Sequence, residues 1–130
     1  MHQELLMIED PRLIVLGTRS HTDVLGYMQE ATVVVVPSLV YENQPTVILE
    51  ALAVGCGVIA SNVGGISETL GKAGWIVKPG DRGALKEALE EAIQPKELRD
   101  RKAERINILE QHHIEKVISR LEEVLFFNPR

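Results

Sequence analysis

Thr32 to Val36 is an unbroken β-branched run. A strand with one face in water would carry polar residues at alternate positions, so this run predicts a strand buried on both faces of a parallel sheet. Pro37 stops it. After a turn-like stretch, Pro45 sits where the first turn of a helix tolerates a missing N–H, with Asn43 or Gln44 placed to cap it. From about Pro45 to Val54 the apolar positions Val47, Ile48, Ala51 and Leu52 recur with a period of 3.6 and predict one buried stripe. The stretch therefore reads as a β-loop-α unit.

The same pattern extends in both directions. Met1 to Ile8 reads as a short, weakly amphipathic helix closed by Pro11, and Leu13 to Leu16 as a strand ending at Gly17. Thr22 or Asp23 is placed to cap a helix running to about Glu30, with Val24, Leu25 and Met28 inward. A strand over Val58–Ala60, a Gly64-Gly65 turn, a short helix beginning near Glu68 and a strand over Trp75–Val77 follow. Pro79-Gly80-Asp81 turns the chain, and Asp81 is placed to cap a helix that ends near Ile93 with a stripe of Leu85, Ala88, Leu89 and Ala92. Gln94-Pro95 breaks it. Helices from about Lys96 to Leu109 (Leu98, Ile106 and Leu109 apolar) and from Ile114 to Leu125 (Ile114, Val117, Ile118, Leu121 and Leu125) complete the chain. Strands alternating with helices define an α/β class with a Rossmann-like parallel sheet of about four strands flanked by helices. One domain over 1–130 is expected, its core at about 12–93 and its C-terminal helices at about 96–125.

At 130 residues the chain is large enough for one packed core. A net charge of −5 argues against nucleic acid and against anionic lipid, both of which call for a basic face. No apolar run approaches the roughly 20 residues of a spanning helix, and no signal peptide pattern opens the chain, so a cytoplasmic setting is expected. Cys56, the single cysteine, has no partner for an internal disulfide and reads as a small residue between a helix end and a strand. His2, His21, His112 and His113 lack metal-site spacing and read as surface residues.

In parallel sheets ligands bind beyond the carboxyl ends of the strands, where loops meet helix N-termini. Glu42 lies on such a loop. Glu50 lies on the helix that follows, away from its apolar stripe, so both carboxylates are expected to face one crevice. They are strong acceptors suited to sugar and ribose hydroxyls, while the helix N-terminus takes an anion. Arg19, on the loop Gly17-Thr18-Arg19-Ser20 at another strand's end, suits a base or phosphate as well as it suits plain solvent. The paired glycines at 64 and 65 fit a turn or a close approach to phosphate.

Several ordered motifs carry a resemblance. Pro37-Ser38, Glu42-x7-Glu50, Glu50-Ala51-Leu52-Ala53-x-Gly55, Val58-Ile59-Ala60-Ser61, Gly64-Gly65-Ile66-x-Glu68, Gly74-Trp75-Ile76-Val77 and Pro79-x-Asp81 resemble, at family spacing over roughly Leu13 to Ile93, the donor-binding domain of retaining GT-B glycosyltransferases of the family 4 type. Gly57 departs from it, standing where that family usually has Pro, a change expected to affect a turn. The resemblance implies a truncated GT-B C-terminal domain that binds a nucleotide-diphosphate sugar. In it Glu42 would be the catalytic-site acid contacting the donor sugar, the backbone of Asn43, Gln44, Pro45 and Thr46 would face sugar and phosphate, and Glu50 would hold the ribose. Gly17, Thr18 and Arg19 would approach the base. Front-face chemistry with retention is the family's usual course, with no metal and no cofactor, and polysaccharide biosynthesis is a usual setting.

The resemblance also bounds what to expect of this chain. The Arg and Lys that hold the diphosphate in such enzymes, and the N-terminal acceptor domain, lie on elements before the present start. An isolated chain is therefore expected not to turn over. Strand 13–16 is expected to sit beside 32–36 within the monomer, and a homodimer through an exposed sheet edge or the C-terminal helix is expected from leftover apolar surface. A non-catalytic nucleotide- or protein-binding module derived from such an enzyme is the alternative reading. Phosphorolysis through lysine-bound pyridoxal phosphate is disfavoured, since no lysine lies between Met1 and Gly71.

Overall fold

The computed structural model describes residues 2–41, 46–112, 115, 118, 119 and 121–123. Three parallel strands, β1 (Val33–Val36), β2 (Gly57–Ser61) and β3 (Trp75–Val77), form a sheet in the order β1-β2-β3. Helices α1 (His2–Leu6) and α2 (His21–Glu30) precede it. Helix α3 (Thr46–Ala53) joins β1 to β2, and α4 (Ile66–Leu70) with a 3-10 turn at Gly71–Ala73 joins β2 to β3. Three helices follow: α5 (Arg82–Ala92), α6 (Pro95–Asp100) and α7 (Lys102–Gln111).

The strand period of two divides the core between the two faces of the sheet. Val34, Val36, Val58, Ala60 and Ile76 meet α2, α3, α4 and α7 through Leu25, Ile48, Leu52, Ile66, Leu70 and Ile108. Val33, Val35, Ile59, Trp75 and Val77 meet α5 and α6 through Ala88, Ala92, Leu85 and Leu98. Every residue of β2 is buried, because it is paired on both edges and covered on both faces.

Segment 13–16 differs from its expected place. It joins no ladder among the described residues, which leaves three strands where about four are expected. Leu16 instead borders a small hollow with Val24, Met28 and Val34. With one edge unpaired among the described residues, β1 is only half-buried throughout, where burial on both faces is expected of such a run. Gly57 belongs to β2 and not to a turn. Its N–H donates to Thr32 O at 3.0 Å, and a Cβ there would meet Leu98 Cδ2 at 2.7 Å. A proline would lose that hydrogen bond and crowd α6.

Helix ends follow from side-chain oxygens and glycines. Ser20, not Thr22 or Asp23, caps α2 by accepting from Asp23 N–H at 3.2 Å, since the helix starts at His21. Asp81 caps α5 as expected, accepting from Ala84 N–H at 2.9 Å. Helix α3 ends in a Schellman turn: Gly55, at φ +89°, donates to Leu52 O, and Cys56 N–H donates back to Ala51 O at 3.0 Å. Gly64, at φ +54°, makes the expected turn before α4.

Three expected apolar stripes are redrawn. In α5 Ala88 and Ala92 are buried, whereas Leu89 faces outward. The helix expected over 96–109 is two helices that meet at Arg101, and Ile108 with Leu109 is buried in place of Ile106. In the last stretch Leu121 is buried and Ile118 exposed, while Ile114, Val117 and Leu125 lie outside the described residues.

Candidate functional site

Pro37 follows β1, Ser61 ends β2 and Val77 ends β3, so these three residues mark the carboxyl edge of the sheet. All three line a cavity of about 390 Å³, which Leu39, Lys78 and Arg82 also border. This is where the topology of a parallel sheet places a ligand crevice. Leu39, Val40 and Tyr41, on the loop leaving β1, are exposed beside it.

Glu42, Asn43, Gln44 and Pro45 lie outside the described residues. Thr46 opens α3 and is exposed, whereas Ile48 and Leu49 of the same turn are buried. Glu50, one turn further on, is only 8% exposed, and its neighbours Ile48, Leu49, Ala51 and Leu52 are buried with it. This differs from a carboxylate facing an open crevice, and Glu50 does not line the 390 Å³ cavity. Helix α3 is covered on nearly all sides because the sheet, α2 and α7 all pack on it.

A buried carboxylate is costly unless it is hydrogen-bonded. His21 supplies that bond: its Nε2 lies 2.9 Å from Glu50 Oε1. The imidazole is 40% exposed and sits at the first position of α2, directly after the loop Gly17-Thr18-Arg19-Ser20. Gly17, Thr18 and Arg19 are all exposed, and Gly17 takes φ +66°. The fold thus joins the 17–20 loop to Glu50 through His21. A surface reading of His21 misses this, because no local spacing links residues 29 apart.

Cys56 is buried and its thiol points at Met28 O, 2.7 Å away, with Ala31 O at 3.2 Å. Burial pushes the thiol pKa up, and the positive charge of Arg105 opposes this only in part. The group is a packed donor to the end of α2 and not a nucleophile. Among the described residues no group of three His, Cys, Asp or Glu is arranged to hold a metal ion, and no helix is long and apolar enough to cross a membrane.

The whole is a three-layer α/β unit with a crevice at the carboxyl edge of a parallel sheet and a buried acid on the helix leaving the first strand. Residues 2–95, most of the chain, match the family described as glycosyl transferases group 1, and the chain belongs to that family. It is 40% identical over 77 residues to TuaC of Bacillus subtilis (strain 168), a glycosyltransferase named for teichuronic acid biosynthesis, a match that covers 58% of this chain and 20% of TuaC. AmsK of Erwinia amylovora, a glycosyltransferase named for amylovoran biosynthesis, is 32% identical over 78 residues, covering 55% of this chain and 19% of its own. Sucrose-phosphate synthase from Thermosynechococcus elongatus superposes with a TM-score of 0.59 at 30% identity, over 84% of this chain and 31% of that enzyme. The architecture is that of a GT-B C-terminal domain. The chain spans about a fifth of the length of the curated relatives it matches.

Proposed function

We propose that this chain is the donor-binding part of a retaining glycosyltransferase of the family 4 type, which transfers a sugar from a nucleotide diphosphate to an acceptor. The observation that carries the reading is Glu50, a carboxylate buried on the helix that leaves β1 and hydrogen-bonded through one oxygen to the element that follows the 17–20 loop. Its remaining oxygen accepts from the ribose hydroxyls, and the 17–19 loop borders the base. The N-terminus of α3 presents free N–H groups to the diphosphate. Glu42 contacts the hydroxyls of the transferred sugar, whose bond to the diphosphate breaks on the same face that the acceptor attacks. The acceptor side comes from an N-terminal domain and the cations that neutralise the leaving diphosphate from elements that precede this stretch, so this chain by itself is expected to bind the donor without turnover. The names of TuaC and AmsK favour polysaccharide biosynthesis as the setting.

The test is a ligand-observed NMR titration of the chain with UDP, GDP, ADP and their glucose or mannose conjugates, repeated with Glu50→Ala. One nucleotide is expected to bind saturably, and the substitution to weaken it by on the order of tenfold or more, the size of a lost charge-assisted hydrogen bond. Equal affinity before and after Glu50→Ala would remove Glu50 from the site.

A further inference from the structure

Among the described residues Glu50 is held at one oxygen. Oε1 meets His21 Nε2 at 2.9 Å, while Oε2 makes no hydrogen bond among the described residues. The carboxylate is nearly buried and its apolar neighbours on α3 are packed, so the imidazole is the polar group that fixes its orientation. His21 is itself fixed. It occupies the first position of a helix capped by Ser20, and Leu25 and Met28 anchor that helix in the core.

From this geometry we infer that His21 is a positioning residue: it donates Nε2–H to Glu50 Oε1 and so presents Oε2 to the ribose 2′- and 3′-hydroxyls of the bound nucleotide. The inference rests on the reading of Glu50 as the ribose acceptor. Orientation of a buried acceptor before the ligand arrives removes an ordering cost from binding. A carboxylate already paired on one oxygen also discriminates more sharply, because a ligand without hydroxyls leaves the other oxygen desolvated and unmatched. His21 therefore acts on sugar selectivity through Glu50, without being required to touch the ligand.

The experiment compares each nucleoside diphosphate with its 2′,3′-dideoxy counterpart on four forms of this chain: unsubstituted, His21→Ala, His21→Gln and Glu50→Ala. The unsubstituted chain is expected to prefer the ribonucleotide by on the order of tenfold. Glu50→Ala is expected to abolish that preference. His21→Ala is expected to reduce it to about twofold while leaving dideoxynucleotide affinity unchanged, and His21→Gln, which keeps an N–H donor, to restore most of it. A thermal melt of each variant accompanies the titrations. Equal loss of affinity for both ligands in His21→Ala would mark a merely structural role and overturn the inference, as would full retention of the ribose preference. A preference that survives Glu50→Ala, or is absent from the unsubstituted chain, would overturn the ribose reading of Glu50 instead. No saturable binding at millimolar nucleotide would overturn both for this chain.

Discussion

A methyl group built on Gly74 runs into the backbone carbonyl of Val58 and lies 2.8 and 2.9 Å from the two Cδ atoms of Leu70. A carbonyl in a strand paired on both edges has no room to retreat. Gly74→Ala is therefore expected to cost about 1–3 kcal/mol, read as a lower urea midpoint with an unchanged slope. An unshifted midpoint would mean that β2 yields more easily than its burial implies. Gly57→Ala is expected to be milder, since its nearest obstacle is the flexible end of Leu98. Individual residues were legible in the sequence where chemistry is local: Asp81 capping its own helix and Cys56 packed between helix and strand both follow from neighbours a few positions away. The His21–Glu50 bond was not, because it depends on how α2 lies on α3.

Arg101 shows the same limit for elements. It falls between α6 and α7, where a continuous helix is expected, and its guanidinium stacks 4.2 Å from the centre of the Trp75 ring. The same group donates to Lys72 O at 3.3 Å and to Glu91 Oε1 at 3.1 Å, so it fastens α6 and α7 to α5, to the turn before β3 and to β3 itself. Cation–π stacking and two hydrogen bonds from a half-buried side chain contribute about 1–3 kcal/mol, with the exposed Glu91 partner counting for little of it. Arg101→Ala is expected to lose that amount in urea unfolding. Trp75 is the only tryptophan, so its emission is expected to shift to longer wavelength at the same time. A Lys in this position lacks the planar fork and is expected to recover less than half of the loss. Unchanged emission in Arg101→Ala would argue against the stack. Periodicity located α2, α3 and α5 well, although burial runs around most of α3 and leaves Leu89 of α5 outside. It misplaced the break at Arg101, where a tertiary contact outweighs local helix preference.

For the whole molecule, the alternation of strands and helices specified a parallel α/β layout, and the sheet confirms it with three strands. Segment 13–16 has the composition of a strand yet joins no ladder among the described residues; periodicity cannot reveal whether a partner edge is at hand. The edge position of β1 sets a gradient of local stability. Native-state hydrogen exchange is expected to be slowest in Val58–Ser61, each paired to one side or the other, and to alternate between slow and fast along β1, where every second amide points to the open edge. Uniformly slow exchange in β1 would mean that the edge is covered in solution. Helix α2 adds a mechanical property. Its first residue is tied to the middle of α3 through Glu50, and its last carbonyls are tied to Cys56 just past the end of α3. With both ends fastened to one neighbour, α2 is braced against α3 at two points, one beside the 17–20 loop and the other beside the start of β2.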